Sequence, residues 1–298
     1  MMFRILSNIK RNIYLRKIKY FIKSNNLKRL ISANGAHIIC LDIGAAVFEH
    51  TKWLTFLNSK KTIWIASDPS KSGLDYLKNW MWKSKLIIEK FALSNRGGKL
   101  YFYETNQKTG SSLKKINISE NIAHRIDYDY FFPLKKKKIA TKSIKEVIEN
   151  YSKLKDIPIF IKIDIQGYES SLLKGLESFF KKKQICGLEI ESSLLSEPIY
   201  KDGSKFNELS IFLEKKGFEL LKFKAFDFNN KLYKHNTINE CDSVFALKHT
   251  IINKKKLNYK IAMLQFYLNY DLYNEVKYLK SNNKDLKLFL EKNYIKIN

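Results

Sequence analysis

The stretch Ile159-Phe-Ile-Lys-Ile-Asp-Ile-Gln-Gly-Tyr-Glu-Ser-Ser-Leu-Leu-Lys-Gly175 decides the fold. Ile159, Phe160, Ile161, Ile163 and Ile165 make a nearly continuous run of apolar β-formers, interrupted by Lys162 and Asp164. Such a run reads as a strand buried on both faces, as in a parallel sheet. Gly167 breaks it, and Leu172, Leu173 and Leu176 then recur at helical spacing, so a helix follows the strand. An ionised carboxylate at the end of a buried strand is costly unless it is partnered or set in a cleft. In open α/β sheets the ligand crevice lies beyond the carboxyl ends of the strands. Asp164 and Glu169 therefore stand where a site would be. On these residues alone a second reading serves equally well, with Asp164 capping the helix and Glu169 favouring its positive end.

Working outward, the same strand–turn–helix grammar recurs upstream. Gly35 precedes His37-Ile-Ile-Cys-Leu-Asp-Ile-Gly-Ala-Ala-Val-Phe48, which reads as a buried strand (38–43), a tight turn at Gly44 and a helix from about Ala46. Small residues there let a backbone approach a ligand closely, and Asp42 at the strand end suits a cationic or hydroxylated one. Thr62-Ile-Trp-Ile-Ala-Ser-Asp-Pro69 is a second strand ending in Asp68. Nucleotide-binding α/β folds grip ribose hydroxyls with an acid at this distance from the glycine turn. Its plainer reading is a helix N-cap, with Pro69 opening a helix through Trp80. Residues 86–91 form a third strand, Ala92-Leu-Ser-Asn precedes Gly97-Gly98, and 99–103 return as a strand across that turn. Thr109-Gly-Ser-Ser-Leu113 is a polar turn or a loop beside the cleft, with Ser111 and Ser112 as candidate substrate contacts.

Taken together these motifs resemble the FkbM family of S-adenosylmethionine-dependent methyltransferases. Lys162-Ile-Asp-Ile-Gln-Gly-Tyr-Glu169, continued by Leu173-Lys-Gly175, closely resembles the family signature K-I-D-x-(E/Q)-G-x-E-x-x-x-L-K-G. Asp42, Gly44 and Ala45 resemble its first motif, D-x-G-A-x-x-G, with Phe48 in place of the last glycine. Asp68-Pro69 stands where the family usually has Glu-Pro. Ala92-Leu-Ser and Ser111-Ser-Leu113 resemble its A-L-S and S-S-L elements, and Asp242 to Phe245 its closing D-x-x-F. The resemblance covers residues 38–247. It implies a class I methyltransferase (Rossmann-like) three-layer sandwich, with a mostly parallel seven-stranded sheet and helices on both faces. It further implies methyl transfer from S-adenosyl-L-methionine to a hydroxyl of a sugar, surface glycan or glycolipid. Asp42, Gly44, Ala45, Asp68 and Ala92 would hold the cofactor, Ala92 bordering the adenine. Asp164 would place the cofactor amine or the acceptor, and Glu169 is the next candidate for a base. No metal is implied.

The remaining chain divides into a basic amphipathic helical extension (1–33), the methyltransferase domain (34–250) and a helical C-terminal extension (251–298). Residues 1–33 contain no acid, and Ile5, Ile9, Ile13, Ile18, Phe21 and Ile22 form a stripe that packs on the domain or lies on an anionic membrane. Residues 114–134 lose periodicity and gather aromatics, with His124 and Arg125 nearby, a composition suited to a sugar platform or a lid. Lys135 to Lys138 read as a solvated edge, and Ser143 with Glu146 as a capping box. Residues 184–191 make a fifth strand ending in Glu189 and Glu191, one of which is expected to face the cleft of Asp164. Residues 207–216 read as a helix, 218–223 as a strand, 225–241 as a polar loop containing His235, and 242–247 as the closing strand. The tail reads as a helical add-on for packing or homodimerisation.

Over the 298 residues, 45% hydrophobic and 14% aromatic content suffices for a sizeable core. The net charge of +26 invites a nucleic-acid or acidic-membrane reading. Only six of the 55 basic residues are arginine, however, and the lysine excess travels with Asn, Ile, Tyr and Phe, as in an A+T-rich coding sequence. Two further classes stay open: an RNA methyltransferase or binder using the basic surface, and a non-catalytic binding protein on a methyltransferase fold. Three distant cysteines (Cys40, Cys186, Cys241) make neither a disulfide framework nor a zinc site and suit a reducing cytoplasm. No run approaches the ~20 apolar residues of a membrane span, and Arg11, Arg16, Lys17 and Lys19 interrupt any signal-peptide core. A soluble protein is expected, or one peripheral at the inner membrane face.

Overall fold

The computed structural model describes residues 35–45, 53–70, 83–117, 119, 128–152, 156–229 and 236–295, together with Leu74 and Leu77. The expected helix in 1–33, Phe48, His124, Arg125 and His235 lie outside the described residues.

The apolar runs become strands β1 (Ile38–Ile43), β2 (Thr62–Ser67), β3 (Lys85–Glu89), β7 (Ile159–Ile163) and β8 (Ile185–Ser193), which pair in parallel. All six residues of β1 are buried. Successive side chains point to opposite faces, so both faces of the sheet are covered there. The long hairpin of β9 (Phe218–Asn229) and β10 (Asn236–Leu247) completes the sheet, in the order β3-β2-β1-β7-β8-β10-β9. β10 runs antiparallel to both of its neighbours. This is the mostly parallel, seven-stranded arrangement of class I methyltransferases.

Segment 225–241 was expected to be a polar loop; instead most of it extends the two strands of this hairpin. Polar residues are tolerated because β9 is an edge strand, with Leu220 and Phe223 more than 40% exposed. Pairing also differs after β3. β4 (Ala92–Ser94), β5 (Gly98–Thr105) and β6 (Pro133–Ser143) form a separate sheet in the order β4-β6-β5. The 99–103 strand thus pairs with β6 (Leu100 opposite Ile139), and β6 rather than β5 lies beside β4. Lys135 to Lys138 belong to the exposed part of β6, which is paired on one side only.

Helix α1 (Ile144–Tyr151) turns Ile144, Val147 and Ile148 into the core. Ser143 sits at its N-cap with extended backbone, yet its side chain makes no capping hydrogen bond, so the capping-box pattern is not realised. Helix α2 (Glu169–Leu173) follows β7, and α3 (Phe206–Lys215) precedes β9.

The C-terminal segment is more than an add-on. Helix α4 (Leu257–Asn269) has every residue from Tyr259 to Asn269 buried, the signature of a core helix rather than an amphipathic one. Its Phe266 ring stacks on Phe160 of β7 at 5.0 Å between centroids. Gly187 of β8 makes this possible, since a Cβ there would lie 2.6 Å from the Phe266 ring. Polar bonds add to the packing. The Tyr259 hydroxyl donates to Asp156 at 2.7 Å, and Trp53 Nε1 donates to the Tyr270 hydroxyl at 2.9 Å. Tyr270 in turn donates to Glu189. Helices α5 (Tyr273–Ser281) and α6 (Lys284–Lys292) pack outside α4.

Candidate active site

From β1 the sheet grows one way through β2 to β3 and the other way through β7 to β8. Loops leaving β1 and β7 therefore diverge and open a crevice at the strands' carboxyl ends. A cavity of about 1000 Å³ occupies it. The tips of β1, β2, β7 and β8 form its floor, while Phe102, Lys137 and Ile139 of the small sheet contribute its roof.

Gly44 sets the first wall. Its φ is +86°, and a Cβ would come within 1.7 Å of the Asp164 carbonyl oxygen, so only glycine fits between the β1 and β7 tips. Its N–H donates to the Ser67 carbonyl at 2.9 Å, and Asp164 N–H donates to the Ile43 carbonyl at 3.0 Å. At the end of β2, one carboxylate oxygen of Asp68 accepts from Ser70 N–H at 2.6 Å. Burial pushes its pKa up to about 6, helped by the charges of Asp42 and Asp164, although the Ser70 bond opposes this.

The β7 tip carries the chemistry. Gln166, with φ +59°, and Gly167, with φ +91°, take the chain over the strand end in left-handed geometry. The Gln166 amide donates to Asp164 at 3.0 Å and to Glu191 of β8 at 2.7 Å, and its oxygen accepts from the Tyr200 hydroxyl at 2.8 Å. Lys162 donates to Asp164 at 3.0 Å. Burial disfavours the Lys162 charge, but Asp164, Asp42 and Glu189 outweigh it and lift its pKa above the usual lysine value. Asp164 feels the opposite balance: burial raises its pKa, yet the Lys162 charge and hydrogen bonds from Glu191, Lys162 and Gln166 hold it to about 2. Glu191 is driven well up by burial and by the charges of Asp164 and Glu240. The two neighbouring carboxyls are thus pushed in opposite directions, Asp164 down and Glu191 up. Glu240 of β10 is pushed to about 8 by burial and by Glu169, Asp164 and Asp242. The cavity is lined by Asp68, Glu104, Asp164, Glu191 and Glu240 and by Lys108, Lys137 and Lys162, so acids outnumber bases in a basic chain.

Of the residues singled out in the sequence, Gly44, Asp68, Ala92, Ser111, Ser112 and Asp164 line this cavity together. Ala45 is buried behind the turn, its N–H donating to the Ser67 carbonyl at 3.2 Å. Asp42 points away from the cavity, beside Trp53, Trp64 and Lys162. Glu169 is also away from the cavity, only 1% exposed. Its Oε1 accepts from the N–H groups of Ile165 at 3.1 Å and Gly167 at 3.0 Å. Ser112 donates to the Gln166 carbonyl at 2.6 Å, and Ser111 accepts from Thr105 N–H at 3.1 Å, so both hydroxyls brace local backbone. Glu191, not Glu189, faces Asp164.

Sequence reasoning missed Lys162, Gln166 and Tyr200 as site residues, and it missed Glu240 because β10 was read partly as loop. Lys162 and Gln166 lay within the quoted signature. An internal lysine in a buried strand was the one available sign of a paired carboxylate.

A family sequence model described as "Methyltransferase FkbM domain" matches residues 35–220. No curated protein sequence matches the chain. Among solved structures it is similar to precorrin-6y C5,15-methyltransferase from Geobacter metallireducens, at 12% identity over 75% of this chain and 86% of that one, with a TM-score of 0.31. It is also similar to an uncharacterized protein from Listeria monocytogenes serotype 4b (11% identity, 91% and 96% coverage, TM-score 0.31). A Streptococcus pneumoniae protein assigned as a tRNA (m1A22) methyltransferase, in complex with S-adenosyl-L-methionine, gives 13% identity, 90% and 99% coverage and a TM-score of 0.29.

Proposed function

The chain belongs to the FkbM methyltransferase family, and on that premise we propose that it O-methylates a hydroxyl of a sugar, surface glycan or glycolipid in the crevice above β1 and β7. Methylation with S-adenosyl-L-methionine is the family's chemistry, and the residues present suit that cofactor. Its sulfonium and ammonium groups are cations, and the cavity lining includes Asp68 and Asp164, whose pKa values lie at about 6 and about 2. About 1000 Å³ is at the upper end of single-ligand pockets and leaves room for a nucleoside and an acceptor together.

When bound, the cofactor supplies an electrophilic methyl group. Asp68 would accept hydrogen bonds from the ribose hydroxyls, Gly44 would let the backbone pass close beneath, and Ala92 would leave space for the adenine. Ionised Asp164, fixed by Lys162 and Gln166, accepts a hydrogen bond from the acceptor hydroxyl and orients its lone pair. As the acceptor oxygen bonds the methyl carbon, the carbon–sulfur bond breaks and its electron pair stays on sulfur as a neutral thioether, while the hydroxyl proton becomes very acidic. A carboxylate of low pKa such as Asp164 is then base enough to receive it. Glu169 acts at one remove: it holds the Ile165 and Gly167 amides and so the Asp164 loop.

The observation that carries this reading is Asp164 at the switch point of the sheet, held by hydrogen bonds from Lys162 and Gln166. A sugar acceptor is supported by the mixture of Gln166, Glu191 and Glu240 with Tyr130 and Phe226 on the cavity wall, since acids and amides bind hydroxyls while rings bind sugar faces. The test is transfer from methyl-labelled S-adenosylmethionine to hydroxyl-bearing saccharides. Expected is an alkali-stable methyl ether, lost in Asp164→Asn while cofactor binding by calorimetry persists. Label released as methanol by alkali, or full turnover in Asp164→Asn, refutes the assignment.

A further inference from the structure

The small sheet that roofs the cavity has a second face. Strand parity sends Lys136 and Lys138 of β6 to the side opposite Lys137 and Ile139. Across the ladder, Tyr101 pairs with Lys138 and Tyr103 with Lys136, while Lys99 shares the parity of Tyr101. The Lys136 ammonium lies 3.9 Å from the Tyr101 ring centroid, and that of Lys138 lies 5.3 Å from it. Lys137, on the other side, is engaged by Glu104. Among the described residues no carboxylate forms an ion pair with Lys99, Lys136 or Lys138. Just ahead of this basic face, Phe132 is 52% exposed and Leu134 is 61% exposed, and Leu134 also reaches the cavity rim.

We propose that this outer face docks the protein on an anionic lipid surface, with Phe132 and Leu134 entering the headgroup boundary and Lys99, Lys136 and Lys138 meeting lipid phosphates. The combination is what an interfacial element needs: protruding apolar side chains, amphipathic tyrosines, and lysines whose stems lie along the surface while their heads reach anions. Charge alone would fit RNA equally. An exposed aliphatic residue beside an exposed phenylalanine favours lipid, because a leucine offers no stacking surface to a base. Docked this way, the cavity rim at Leu134 lies against the membrane, within reach of an acceptor whose lipid tail stays in the bilayer. The docking surface does not depend on what the cavity binds, so its test is independent of methyl transfer.

The experiment is co-sedimentation of the full chain with vesicles of phosphatidylglycerol and phosphatidylcholine, beside vesicles of phosphatidylcholine alone and a single-stranded RNA. Expected is salt-sensitive binding to the anionic vesicles only. A Lys99→Gln/Lys136→Gln/Lys138→Gln variant should lose binding roughly a hundredfold, as three lysines near a charged surface contribute. Phe132→Ser should lower binding about tenfold while leaving the salt dependence in place. Both sets of positions are exposed, and an unchanged thermal melt verifies folding. Absence of binding to anionic vesicles overturns the proposal, as does vesicle binding that neither variant alters. Retention on RNA without retention on vesicles also overturns it, in favour of nucleic acid.

Discussion

Replacing Glu169 by glutamine isolates a buried titration beneath the site. The Glu169 carboxylate is 1% exposed, and its Oε1 receives two backbone N–H groups, from Ile165 and Gly167. Burial raises its pKa from 4.5 to about 7, against the hydrogen bonds that lower it. A carboxyl whose folded pKa is raised favours the native state while protonated. That contribution is whole below pH 4.5 and disappears as pH climbs through about 7. A shift of this size corresponds to roughly 3 kcal/mol between those limits. In Glu169→Gln the amide oxygen can still accept both N–H groups, but nothing titrates. Urea unfolding of both proteins, followed by circular dichroism from acid to mildly alkaline pH, measures the difference. Asp68 and Glu240 drift in the same direction, and subtracting the variant curve removes the Asp68 part and most of the Glu240 part. Expected is a variant that gains on the wild type by roughly 3 kcal/mol as pH rises through about 7. Parallel stability curves would refute the claim that Glu169 is a buried carboxyl whose pKa is raised to about 7.

Other consequences follow from the same geometry. Ionised Asp68 is the form that accepts ribose hydroxyls, so calorimetric affinity for S-adenosylmethionine should rise with pH through about 6 in the wild type; Asp68→Asn should bind weakly and lose that rise. Gly44→Ala forces a Cβ to 1.7 Å from a backbone oxygen at φ +86°, so the variant should be insoluble or lose several kcal/mol in chemical denaturation. Phe266→Ala removes the ring stacked on Phe160 and should cost about 3–5 kcal/mol in the same assay, despite lying outside the matched family segment. Gln166→Ala frees Asp164 from Glu191, and should weaken methyl transfer more than cofactor affinity in paired kinetic and calorimetric measurements.

The sequence by itself determined the parallel core strands and the turns that end them. Nearly continuous apolar runs such as 38–43 and 159–163 carry their burial locally, and a glycine such as Gly44 marks the sharp turn where it occurs. The order of motifs was enough for the family. Tertiary structure decided what depends on partners distant in the chain. The pairing of β5 with β6 rather than β4 is such a case, as is the burial of α4 in a gap opened by Gly187. It also decided the roles of the carboxylates. Which acids face the cavity depends on the left-handed backbone at Gln166 and Gly167 and on β10 lying beside β8. Asp164 and Glu169 look alike as residues five apart in one motif. Only the fold turns the first into the crevice and the second beneath it, because a strand tip sets the direction of each side chain through backbone torsions and distant neighbours.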